Sequence, residues 1–252
     1  VTEFVIIVES EADFRTASEL ANRIFIEQIE WIEPYLPQQL QWRGIVGETK
    51  FTCWKDIRSI YDEMKSRGTR LPRYLGGRAQ GHDYAASTEV LHILDSLLRE
   101  KNHDIQAVVL IRDLDNRPER RLGIEQARQE SAHLTVVIGL ADGKREAWVL
   151  NGFVCLDARE ESLFANVRAE LEFDPVVEAH RLRSTTFDEP NRIRNAKVVL
   201  DRLTEGVNER ESQCWRSTSL DLLRERGTFT GLTNYIREIE EKLVPVLRAG
   251  GR

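Results

Sequence analysis

The chain has 252 residues, 41% hydrophobic and 31% charged, with a formal net charge of −6; that is long enough for a sizeable α/β core, with or without a helical appendage. The negative balance excludes attachment to nucleic acid by bulk charge, so contact with phosphates would have to come from local basic patches. No apolar run approaches the roughly 20 residues that cross a bilayer and no basic-then-apolar leader opens the chain, so a cytoplasmic protein without membrane attachment is expected.

The first element is the run Phe4-Val5-Ile6-Ile7-Val8, short and rich in β-branched residues, which predicts a strand covered on both faces. It leads straight into Glu9-Ser10-Glu11-Ala12-Asp13. Residues 12–32 then carry Phe14, Ala17, Leu20, Ala21, Ile24 and Phe25 at helical spacing, and Pro34 and Pro37 close the helix. Asp13 near its start has two readings, a helix-terminal acid that satisfies free backbone N–H groups and a metal ligand. Residues 41–47 are turn-rich and suit an edge strand, and 53–65 return to helix with Ile57, Ile60, Tyr61 and Met64 on one face. Residues 66–83 hold four glycines, one proline and four arginines, too many breakers for a regular element. A loop of that length is commonly functional. Its Arg70, Arg73 and Arg78 are candidate phosphate contacts, and His82 has two readings, an exposed loop histidine and a catalytic group that reaches the site from the loop.

Residues 84–100 predict a helix that feeds a second buried strand, Ala107-Val108-Val109-Leu110-Ile111, ending in Arg112-Asp113-Leu114-Asp115. A helix over 119–132 and a third strand over 134–140 follow. Next comes Gly143-Lys144-Arg145-Glu146-Ala147-Trp148-Val149-Leu150, which brings a third carboxylate, Glu146, to the same edge. Alternating strands and helices predict an α/β fold with a mostly parallel sheet flanked by helices. The core then spans 1–155, with a helical and loop insertion at about 31–100. From 156 to 252 the pattern is mainly helical, 195–203 and 231–247 being amphipathic, while 157–191 is charged and reads as an irregular boundary. A second basic region comprises Arg181, Arg183, Arg192, Arg194 and Lys197. Cys53, Cys155 and Cys214 are odd in number and widely spaced, which fits neither a disulfide framework nor a zinc site.

Carboxylates gathered at the carboxyl ends of strands repel one another unless a cation joins them, and oxygen-only ligands on short side chains suit Mg²⁺ or Mn²⁺. An early strand ending in Glu-x-x-x-Asp (Glu9 to Asp13), then a strand ending in Asp-x-Asp (Asp113, Asp115) about a hundred residues later, resembles the TOPRIM superfamily of topoisomerases, primases and overcoming-lysogenization-defect nucleases. Glu146-Ala147-Trp148-Val149-Leu150 resembles the third acidic motif of small stand-alone bacterial TOPRIM-like proteins. The resemblance covers residues 3–155 and implies a TOPRIM-like sheet and Mg²⁺- or Mn²⁺-dependent cleavage of phosphodiester bonds in DNA or RNA. Asp113, Asp115, Asp13 and Glu146 would be metal ligands and Glu9 a general base or acid. Many family members place glycine after the first glutamate, where this chain has Ser10. The nuclease branch also uses a C-terminal lysine to stabilise developing charge; Lys197 is the first candidate here and Arg216 the second, Arg216 being equally a nucleic-acid contact. The resemblance further implies a role in anti-phage defence, an ATPase partner and oligomerisation. The main rival is a degenerate TOPRIM-like regulatory subunit that acts only through such a partner. A second rival is another metal-assisted phosphoryl enzyme, without a P-loop, since no Gly-rich phosphate loop of Walker type is present.

Overall fold

The structure is a computed structural model that describes residues 1–69, 71, 81–99, 104–188 and 190–250. Arg70, Arg73 and Arg78 lie outside the described residues.

Strand β1 (Thr2–Val8) runs into α1 (Glu11–Gln28); α2 (Leu36–Gln39) and β2 (Leu40–Arg43) follow, then the short β3 (Thr52–Cys53) and α3 (Ile57–Ser66). Helix α4 (His82–Arg99) precedes β4 (Ile105–Asp113), α5 (Pro118–Glu130), β5 (Val136–Ala141) and α6 (Arg145–Asn151). The remainder is helical: α7 (Ala158–Leu171), α8 (Ala196–Thr204), α9 (Asn208–Arg216), α10 (Leu220–Arg226) and α11 (Leu232–Glu238), the last joined by a π-helical turn to α12 (Val244–Gly250).

All five strands pair in parallel, in the order β2-β1-β4-β5, with β3 also pairing β1 beyond the end of β2. Each strand alternates its side chains between two cores, as period-two geometry requires. Phe4, Ile6, Val8, Val109, Ile111 and Val137 enter one core, and Val5, Ile7, Val108, Leu110 and Ile138 the other. Each fully buried Val or Ile is worth about 1.5–3 kcal/mol, which accounts for the unbroken apolar runs of the strands. The first core is closed by α1, α6, α8 and α11, the second by α3, α4 and α5. Residues from 156 onward therefore share the first core with the sheet. Close approach of α11 requires Gly139 on β5, where a Cβ would lie 2.6 Å from Ile111 Cδ1 and 2.7 Å from Tyr235 Cδ2.

Two expectations change. Residues 157–191 are not uniformly irregular, because α7 begins there; Asp157 caps it, its Oδ1 accepting from Glu160 N at 2.8 Å. Its apolar stripe is narrow, with Val167 and Leu171 as its buried residues, so the charged face hides the helical period. The predicted helix over 53–65 starts later, at Ile57, since Thr52–Cys53 pair with Ile7 and Val8 of β1. The cysteines are all free, and burial pushes the Cys214 thiol up to about 12. No described helix is long and apolar enough to cross a membrane.

Candidate active site

Strand order fixes where the site lies. From β1 the chain crosses one face through α1 to reach β2, and from β4 it crosses the opposite face through α5 to reach β5. Between the carboxyl ends of β1 and β4 the two connections diverge, which leaves the crevice at which open α/β sheets bind ligands. Glu9 follows the end of β1 and Asp113 ends β4, so both reach this crevice. It is a cleft of about 590 Å³.

Glu9, Asp13, Asp113, Glu146 and Lys197, five of the residues singled out from sequence, line this cleft together. Asp13 sits in the first turn of α1. Ser10 is the N-cap: its Oγ accepts from Asp13 N at 3.4 Å and donates to Asp13 Oδ2 at 2.8 Å. Helix capping and orientation of the acid are thus one arrangement. Asp113 Oδ1 accepts from Arg145 N at 2.8 Å, which ties the end of β4 to the first turn of α6, where Glu146 also stands. Lys197 opens the cleft's far wall in the first turn of α8, its backbone N bonded to the capping Asn195 Oδ1.

Arg145 was not assigned a role from sequence, yet it organises this wall. Its guanidinium reaches Glu211 at 2.8 Å, Thr16 Oγ1 at 3.1 Å, Asp13 at 3.5 Å and Glu146 at 3.7 Å, and its side chain is only 8% exposed. Burial opposes that charge, but Glu146, Glu211 and Asp13 hold its pKa above the ordinary value. A comparable pair serves Glu9: Arg112 lies 3.2 Å and Arg120 3.9 Å from its carboxylate, and Arg112 also bonds Asp83 at the start of α4. Glu211 and Asp201 complete the wall. Asp201 carried a sequence signal, standing four residues from Lys197 on one helical face; Glu211 carried none, because it reaches the cleft through the packing of α9 on α1.

Some expected residues stand elsewhere. Asp115 is not part of the cleft lining: the strand ends at Asp113, Asp115 has φ +46°, and its carboxylate pairs with Arg120 at 2.9 Å. Its charge still contributes to raising the pKa of Glu9. Arg216 is paired with Glu19 at 2.6 Å and does not line the cleft. His82 lines a neighbouring cleft beside Trp54 and Arg112.

Seven carboxylates and three cationic side chains line the cleft, so it carries a negative surplus. The surplus registers on the acids. Burial, then the charges of Asp13, Glu9 and Glu146, raise the pKa of Asp113 well above the ordinary carboxylate value. Burial also raises Asp13 and, with the charges of Asp115 and Asp13, Glu9. Among the described residues no three His, Cys, Asp or Glu side chains stand together at metal-binding spacing. Arg145 stands between Asp13 and Glu146, and Arg120 takes Asp115. The carboxylate donors of the cleft are all oxygen and outnumber its cations, which is the donor chemistry that hard cations take elsewhere. No protein-family model, curated protein or solved structure matches the chain. Function is therefore argued from the cleft's own chemistry.

Proposed function

We propose that this chain is a Mg²⁺- or Mn²⁺-dependent phosphodiester hydrolase of TOPRIM type that acts on DNA or RNA. The observation that carries the reading is the gathering of Glu9, Asp13, Asp113 and Glu146 in one cleft at the switch point of the sheet, where carboxylates outnumber cations and burial, then the neighbouring acids, raise the pKa of Asp113. Asp113, Asp13 and Glu146 would hold the ion. A bound divalent ion supplies charge stabilisation at phosphate oxygens and a more acidic water. Glu9, at the rim and held by Arg112 and Arg120, moves a proton to or from the attacking water or the leaving oxygen; burial raises its pKa above the ordinary carboxylate value, the direction that favours proton exchange. Lys197 and Arg15 also line the cleft, where positive charge can meet a phosphate oxygen. Arg145 keeps Asp13 and Glu146 apart and oriented in the absence of the ion. The resemblance extends the proposal to an effector of anti-phage defence that works with an ATPase partner.

The second reading, a regulatory subunit with a degenerate site, draws on one observation: Arg145 already supplies a positive charge among the carboxylates. A regulator of that kind need bind no divalent ion. Supercoiled, linear and single-stranded DNA and RNA, each incubated with Mg²⁺ or Mn²⁺ and with EDTA, separate the two. EDTA-sensitive cleavage supports the hydrolase, whereas absence of both cleavage and Mn²⁺ binding supports the regulator.

A further inference from the structure

Asp201 lines the acidic cleft and also a second cleft of about 480 Å³ that continues along α8. The second cleft is lined by Glu170, Phe187, Arg192, Ile193, Val198 and Arg202 as well. Unlike the first it has no negative surplus, Arg192 and Arg202 matching Glu170 and Asp201 in number. Phe187 is 56% exposed, a large aromatic surface left in water. Of the second basic region, Arg181 is held by Glu178 and Arg183 by Asp142. Arg192, Arg194 and Lys197 form no ion pair among the described residues, and all three are exposed. Arg202, the other cation of this cleft, is spent on Glu170.

The aromatic ring stands on an ordered support. Arg183 and Asn195 form a β-bridge, Ser184 N donates to Arg194 O at 3.0 Å, and the fully buried Asn195 donates through Nδ2 to Thr186 O at 3.1 Å. Asp188 N bonds Thr186 Oγ1 at 3.0 Å, and Arg192 N bonds Asp188 O at 3.0 Å. The segment that carries Phe187 is thereby bonded to the segment that carries the three exposed cations. Asp188 is the one described carboxylate of the Phe187 segment.

An exposed ring, with cations that are exposed and form no ion pair among the described residues, beside a cleft suited to phosphodiester chemistry, matches the requirements of an unpaired nucleotide strand. Its bases have free π-faces to stack, and its phosphates need cations at intervals. A duplex keeps its bases stacked on one another and offers the ring nothing. We propose that the Phe187 cleft is a single-strand platform that stacks a base on Phe187, holds the backbone through Arg192, Arg194 and Lys197, and leads the strand toward Asp113. The proposal rests on the hydrolase reading for the direction of the strand, and its test is built to fail separately from that reading.

The test is binding in EDTA, where no cleavage occurs, with fluorescently labelled 20-nucleotide single strands of DNA and of RNA and a 20-base-pair DNA duplex followed by anisotropy. The full chain should bind at least one single strand about tenfold or more tightly than the duplex, and the DNA and RNA arms identify which polymer it takes. Phe187→Ala should weaken that binding about 5- to 150-fold, the loss from removing one aromatic stacking partner, and Phe187→Trp should retain it. Arg192→Ala with Arg194→Ala should reduce the salt slope by about 1.4, as two lost phosphate contacts on a single strand predict. Unchanged binding by Phe187→Ala, equal or tighter binding of the duplex, or no binding of any strand would each overturn the platform. Single-strand binding that depends on Phe187 in a protein that cleaves nothing with Mg²⁺ or Mn²⁺ would leave the platform standing and remove the hydrolase. Cleavage with no dependence on Phe187 would do the reverse.

Discussion

Replacing Arg145 with methionine keeps an apolar stem of similar length and removes the one cation that lies between Asp13, Glu146 and Glu211. Those three acids are 8%, 15% and 15% exposed at their side chains, so water does little to replace the lost charge. Breaking a buried ion pair costs about 3–5 kcal/mol, and relief of the guanidinium's own desolvation places this case near the lower bound. For a chain of this size about 3 kcal/mol corresponds to a fall of roughly 6–12 °C in thermal midpoint. The assay is thermal unfolding in EDTA and again in Mn²⁺. An ion at a hundred times its Kd adds about 2.7 kcal/mol to a protein that binds it only when folded, or roughly 5–11 °C here. Because the variant leaves more carboxylate charge unneutralised, its Mn²⁺-induced rise should exceed that of the wild type and recover most of the loss. A variant that melts with the wild type in EDTA, or gains less from Mn²⁺ than the wild type does, would refute the description of Arg145 as a resident counter-charge in a cation-seeking cleft.

Glu9→Gln should lower turnover by about 10²- to 10⁴-fold while Mn²⁺ binding and midpoint stay near wild type; loss of Mn²⁺ binding in its place would make Glu9 a ligand. Asp113→Asn keeps an acceptor for Arg145 N and removes a carboxylate whose pKa in the folded protein is raised above 3.8. A group so raised contributes stability below its unfolded pKa and loses it as pH climbs through the folded value. In EDTA the variant should therefore match the wild type near pH 3.8 and become progressively the more stable of the two toward neutrality; a constant difference across that range would count against a strained Asp113. Ser10→Ala removes the α1 cap and one bond to Asp13, and should cost about 1 kcal/mol, read as a loss of roughly 2–4 °C in midpoint. No change there would mean that Asp13 is positioned without Ser10.

The strands were legible because residues buried on both faces leave unbroken β-branched runs, and the α/β order followed from their alternation with helical periods. Helix α7 was hidden because most of its surface faces water, so charge dominates its composition, and β3 is too short at two residues to show a period. Of the acids, Glu9, Asp13, Asp113 and Glu146 were legible because each follows directly from a strand end or a first helical turn. Asp115 shared that signal. On a continuing strand it would have pointed to the same side as Asp113, but the strand stops at Asp113 and the left-handed backbone at Asp115 turns its carboxylate to Arg120. Arg145 and Glu211 could not be assigned, since their partnership depends on α9 lying against α1, where Arg15 Nη2 bonds Ser212 Oγ at 3.3 Å and Trp215 Nε1 bonds Glu19 at 2.6 Å. Long-range packing of that kind leaves no local period to read.

Under the proposed function, the carboxylates at the switch point hold a divalent ion on which phosphodiester cleavage depends. Wild type and Asp113→Asn, prepared in parallel and incubated with labelled single- and double-stranded DNA and RNA in Mg²⁺, Mn²⁺ or EDTA, test it most directly. The wild type should cleave at least one of these polymers with an ion present and none in EDTA, and Asp113→Asn should cleave none. Cleavage that persists undiminished in Asp113→Asn, or a wild type that neither cleaves any polymer nor gains thermal stability from Mn²⁺, would contradict it.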